Sequence, residues 1–220
     1  MKRLTSSYIV ILCVAVVALS DSSSAQMRSG KLGVGVEGSL YLFNDNISDG
    51  LMKPGGGITL SYSAMEHLGL RTMFGVGQLG WTNKTTLRTN TTTILSGNFY
   101  VSYDMIPHGT LNPFVFVGAG VTYFDPASDA GSYLVANNTI SKMDINYLGG
   151  VGVDYFLSEF VSLTLSGEFA LANTSALDMA SHGKSNNTYS RVNLDFRYYF
   201  FDQDYVTKLI KALQARYKGR

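Results

Sequence analysis

The chain has a single cysteine in 220 residues, Cys13, and it lies within the first apolar stretch. Everything after that stretch is free of thiols, which excludes disulfide staples and cysteine-based metal sites. Three histidines, His67, His108 and His182, are too few and too scattered in sequence to spell a metal motif. Charged residues make up only 15% of the chain and the formal net charge is +1. That balance excludes the basic footprint of a nucleic-acid partner, and apolar residues at 45% exclude a disordered chain. No run is long enough for a membrane-spanning helix, which needs ~20 apolar residues. The longest, Tyr8 to Leu19, is about 12 residues.

That run is preceded by Lys2 and Arg3 and followed by Ser23-Ser24-Ala25. A basic start, a short apolar stretch and small residues at the end predict a secretory signal peptide over 1–25, cleaved after Ala25. Leu12 stands before Cys13 where lipid attachment requires a small residue. Removal of the signal leaves fifteen basic and fifteen acidic residues.

What the chain does have is glycine, tyrosine and a strict period of two. In Asn146 to Leu171, Tyr147, Val151, Val153 and Tyr155 alternate with Asn146, Gly150, Gly152 and Asp154. After the short joint Leu157 to Phe160, Val161, Leu163, Leu165, Phe169 and Leu171 alternate with Ser162, Thr164, Ser166 and Glu168. Period two means strands, because successive side chains point to opposite faces. The polar face is mostly small residues, whereas a water-facing sheet carries Lys and Glu freely. Small polar residues suit the inside of a narrow barrel whose apolar face is turned outward to lipid.

The same pattern predicts strands at Lys31–Phe43, Gly57–Ala64, Leu68–Trp81, Thr93–Tyr103, Pro113–Phe124 and Tyr189–Phe200. Alternation slips at Gln78-Leu79, which predicts a bulge or the end of the membrane zone there. Loops are predicted at Asn44–Gly56, Thr82–Thr92, Asp125–Thr139 and Ala172–Thr188, separated by shorter turns at Met65–His67, Asp104–Asn112 and Leu157–Phe160. Outward aromatics gather at the short-turn end (Tyr62, Tyr103, Tyr155, Tyr198, Phe200), with Tyr123 and Phe169 toward the other, as in the two interfacial girdles of membrane barrels. The expected fold is all-β: an eight-stranded antiparallel transmembrane β-barrel over 26–200. A basic periplasmic tail follows over 201–220. Val206, Leu209, Ile210, Leu213 and Tyr217 recur there at helical spacing, which an amphipathic helix on the inner leaflet or on a partner would use.

Asn112-Pro113-Phe114-Val115-Phe116-Val117-Gly118-Ala119-Gly120-Val121 resembles the Pro-aromatic-x-x-x-Gly-Ala-Gly strand of the OmpA-like small outer-membrane β-barrel family. Gly149 to Leu157 resembles that family's Gly-x-Gly-x-(Asp/Glu)-Tyr strand and its turn. The alternation of Val192, Leu194, Phe196, Tyr198 and Phe200 resembles the terminal-strand assembly signal of such proteins. The resemblance implies a bacterial outer-membrane location, with lipid and the barrel assembly machinery as partners. A surface or periplasmic protein is a further expected partner.

Enzyme chemistry finds little support. His67 and His108 fall in short turns, and His182 lies in a loop beside Ser181 and Asp178, without the rigid geometry a hydrolase triad requires. Gly33-x-Gly35 and Gly75-x-Gly77 fall inside strands with no following helix to bind phosphate, and close packing accounts for them. Asn-x-Ser/Thr sequons at Asn46, Asn83, Asn90, Asn137, Asn173 and Asn186 follow from Asn/Thr-rich loops. No catalytic residue, cofactor or metal is expected.

The inward charges carry a sharper expectation. Glu37, Arg71, Glu168, Asp195 and Arg197 come from four strands and should meet in a narrow lumen, where unpaired buried charges are costly. They are predicted to form one network that fills the barrel. The expected function is therefore a non-enzymatic outer-membrane protein serving envelope integrity or surface interaction through four extracellular loops. A narrow channel for small solutes or ions is the alternative. An outer-leaflet lipid-modifying enzyme is the reading the residues support least, and a soluble ligand-binding barrel is the rival at the level of fold.

Overall fold

Nine strands appear in the computed structural model, which describes residues 30–44, 48–83, 89–126, 143–173 and 188–202. They are β1 (Lys31–Asn44), β2 (Ser48–Leu51), β3 (Lys53–Ser63), β4 (Leu68–Asn83), β5 (Thr89–Asp104), β6 (Leu111–Pro126), β7 (Met143–Phe156), β8 (Val161–Ala172) and β9 (Thr188–Asp202). β2 and β3 are one interrupted staircase: both pair with β4, and the break falls at Met52. Eight staves thus follow one another in antiparallel pairs, and β1 closes the ring onto β9 from Lys31↔Asp202 to Asn44↔Thr188. Closure leaves no sheet edge in the ring, which lets strands cross lipid with their backbone groups satisfied.

The side-chain faces follow the alternation. Val36, Val117 and Val151 in mid-strand are 67%, 67% and 62% exposed, while Thr59, Thr164 and Ser162 on the opposite face are buried. Both predicted aromatic girdles face outward and are exposed. The residues of the terminal-strand signal, Val192, Leu194, Phe196, Tyr198 and Phe200, are exposed on the outer face of β9.

Two expectations change. The segment 44–56 is mostly strand rather than loop, and only 45–47 separate β1 from β2. Its glycines read as loop residues, yet Gly55 and its cross-strand partner Gly77 are inward positions where a Cβ would collide with the Tyr41 ring. The second loop also shortens, because Thr89 to Thr92 belongs to β5 and pairs with β4 as far as Thr82↔Thr89. Threonine is polar but β-branched and holds extended chain well. The irregularity expected at Gln78-Leu79 is present on one side of β4: Leu51↔Gly80 gives way to Gly55↔Gly77, so Met52, Lys53 and Pro54 face Gln78 and Leu79. On the other side β4 and β5 keep one register from Leu68↔Tyr103 to Thr82↔Thr89, and Leu79 and Trp81 point into the barrel. A further register shift lies between Leu32 and Gly33 against β9.

The segment predicted as signal peptide, His182, Ser181, Asp178 and the tail beyond Asp202 lie outside the described residues. Pairing of the last strand runs two residues past Phe200, to Phe201↔Leu32 and Asp202↔Lys31.

Candidate functional site: the filled lumen

Inward positions of β1, β5, β8 and β9 build the upper charge cluster. Arg191, 2% exposed, is its hub. Its Nη2 donates to Glu168 Oε2 at 2.8 Å and to the Tyr100 hydroxyl at 2.7 Å. Its Nη1 donates to the Tyr41 hydroxyl at 3.1 Å, sits 3.4 Å from Met73 Sδ, and lies 3.8 Å from Glu37 Oε1. Tyr100 donates to Glu168 Oε2 at 3.0 Å, and Ser39 donates to Glu37 Oε1 at 2.9 Å. Glu168 and Arg191 are Cα partners across β8 and β9, so the backbone register itself sets the ion pair.

A second cluster lies toward the short turns. Arg197 Nη2 donates to Asp195 Oδ2 at 2.6 Å, and its Nη1 lies 3.1 Å from the Tyr199 hydroxyl and 3.9 Å from Asp154 Oδ1. Thr59 donates to Asp195 at 3.1 Å, and Thr164 donates to Asp154. Arg71 lies 3.8 Å from Asp154 Oδ2 and places its guanidinium 4.8 Å from the centroid of the Phe114 ring. Of its charged groups, Arg71 is the most open to water, with a side chain 15% exposed against 1% for Arg197.

The five charges read from sequence therefore sit in two groups, each completed by a residue the sequence argument left out. Glu37 and Glu168 share Arg191, while Asp195 and Arg197 pair directly and meet Arg71 through Asp154. Arg191 and Asp154 were both legible as inward by parity. Their depth was not, because barrel stagger places residues at one height whose counts along each strand differ. Glu37 and Asp195 are Cα partners of like charge, and each turns to a different arginine.

Between the clusters is a cavity of about 10 Å³ lined by Glu37, Arg71, Ser102, Glu168, Arg191 and Asn193, among others. That is room for about one water. A second space of about 20 Å³ opens toward the short turns and shares Arg71 and Ser102. Above Arg191 comes an amide layer, in which Asn146 Nδ2 donates to Asn98 Oδ1 at 3.3 Å and to the Tyr189 hydroxyl at 3.1 Å. Above that, Phe43, Leu79, Trp81, Ile94 and Phe124 form an apolar layer, with Phe43 and Trp81 ring centroids 5.2 Å apart. The expectation of a small polar interior fails at this end. The signal was in the sequence, since all five residues fall on inward parity.

The turn histidines are accounted for locally. His67 Nδ1 lies 2.7 Å from the Asp104 carbonyl oxygen and the ring stacks on Tyr103, while His108 Nε2 lies 2.6 Å from Glu66. Among the described residues, no group of three or more His, Cys, Asp or Glu could hold a metal ion.

This architecture has relatives. Neisserial surface protein A superposes with a TM-score of 0.54 at 12% identity, covering 77% of this chain and 97% of that one. The outer membrane protein OprG from Pseudomonas aeruginosa superposes with a TM-score of 0.51 at 13% identity, covering 82% and 100%. At such identities the likeness is one of fold. No curated protein sequence matches the chain. The family described as outer membrane protein beta-barrel domain matches residues 9–200. The chain belongs to that family of bacterial outer-membrane proteins.

Proposed function

We propose that the protein is a non-enzymatic outer-membrane barrel whose lumen is a structural core, and that its function is exercised at its surface. The observation that carries this reading is the stack of four layers across the lumen: two charge clusters, an amide layer and an apolar layer. A wall so filled supports loops and does not conduct. The connections long enough to recognise something are 127–142 and 174–187, since the other two shrink to 45–47 and 84–88. Export with cleavage after Ala25 belongs to the same proposal, and the N-terminal sequence of the mature protein tests it.

Replacing 127–142 and 174–187 with short Gly/Ser linkers in the producing bacterium tests the surface role. The expected result is a folded barrel with the envelope or surface phenotype of a deletion. Wild-type behaviour with both loops replaced would refute it. A narrow channel is the second reading, favoured by the two adjoining cavities that share Arg71 and Ser102.

A further inference from the structure

The short-turn end of the barrel carries more apolar surface than its strands require. Met65, Met105, Ile106, Leu157 and Phe160 are 45–64% exposed, and they come from all three turns. Met105 and Leu157 stand two residues beyond the girdle tyrosines Tyr103 and Tyr155. Girdle aromatics mark the membrane interface, and these turn side chains continue from that girdle to the end of the barrel, with Phe160 beside Tyr199. Exposed carboxylates accompany them: Glu159, and Glu66 in its pair with His108.

The chain leaves the barrel at the fourth corner of this same end. Asp202 pairs with Lys31, and the corner is flanked by two of the turns: Tyr199 N donates to Phe160 O at 2.7 Å and Gly30 N to Ser63 O at 2.7 Å. Residues 203–220 follow, with Val206, Leu209, Ile210, Leu213 and Tyr217 at helical spacing and Lys208, Lys211, Arg216, Lys218 and Arg220 among them. We infer that this rim is a docking surface and that its occupant is the chain's own segment 206–217, laid across the end of the barrel.

Charge and length both fit. The segment is basic and the rim carries Glu66 and Glu159. Eight strands about 4.8 Å apart, tilted near 40°, give a ring about 16 Å across. A helix rises 1.5 Å per residue, so a helical segment would carry Leu213 about 16 Å from Asp202. The corner at β9 lies opposite β5, whose turn holds Met105 and Ile106. Leu213 would thus reach the far turn. The inference concerns the periplasmic rim and is independent of the reading of the lumen.

Cysteine pairs test it in the full chain, with Cys13→Ser removing the only native thiol. Leu213→Cys combined with Ile106→Cys should form an intramolecular disulfide in the folded, heat-modifiable barrel. Its yield should exceed tenfold that of Leu213→Cys with the lipid-facing Leu165→Cys. Equal yields, together with quenching of a fluorophore on Leu213→Cys by brominated phosphatidylglycerol vesicles, would place the segment on lipid and overturn the inference. Disulfides found only between two barrels would also overturn it, by making the occupant a second copy. Heat-modifiable migration of each single variant separates misfolding from failure to dock.

Discussion

Replacing Arg191 with alanine should be the most damaging single truncation in the lumen. The guanidinium is 2% exposed and binds Glu168, Tyr100 and Tyr41 within 3.1 Å, with Glu37 at 3.8 Å. Truncation strands two buried carboxylates without their cation, leaving Glu168 the hydrogen bond from Tyr100 and Glu37 that from Ser39. Removing one partner of a buried pair costs about 3–5 kcal/mol, and the second stranded carboxylate puts Arg191→Ala at the upper end. Arg71→Ala is the comparison. Its side chain is 15% exposed and its ion pair is 3.8 Å long, so water compensates and about 1 kcal/mol is expected. Urea unfolding from lipid vesicles, followed by the fluorescence of the sole tryptophan, Trp81, reads both. A triple change, Arg191→Leu with Glu37→Leu and Glu168→Leu, should recover most of the loss, because it removes the charges together. Arg191→Ala costing less than about 1 kcal/mol would refute the reasoning and mean that these charges are bathed in water.

Arginine at the lipid-facing Val117 should destabilise the barrel by about 2–4 kcal/mol in bilayers, and an unchanged urea midpoint would remove the inside-out assignment. Gly77→Ala should cost about 1–3 kcal/mol by driving a methyl into Tyr41, and adding Tyr41→Ala should make the glycine change nearly silent; undiminished cost in that background would place the strain elsewhere. Deleting 203–220 should leave the heat-modifiable form on gels, because β9 closes against β1 without it. Loss of that form would make the tail part of the folding unit.

The fold was legible because a barrel wall is specified by parity alone: period two, the choice of small residues for one face, and turn residues at regular distances. Parity also placed every charge of the lumen on the correct face. Which charges meet depends on stagger, a relation between strands that no single strand encodes. That is why Arg191, which lies toward the loop end of its own strand, was left out of the network it centres. The shortened first and second loops have another cause. Gly55-Gly56 and Thr89 to Thr92 carry turn-like composition, but pairing with the neighbouring strands and, for the threonines, β-branching hold them extended. The apolar layer was missed because Leu79 and Trp81 looked like a break in alternation, when inward parity runs unbroken along β4 and the extra residue lies on the strand facing it.

A lumen that is a core and not a path carries no ions across the membrane, and planar bilayer recording on the refolded full-length barrel reads this without an intermediate step. No conductance above the lipid baseline is expected, or rare small openings insensitive to salt type. Steady, ion-selective conductance that shifts with Glu37→Gln or Arg197→Gln, with the urea midpoint unchanged, would contradict it.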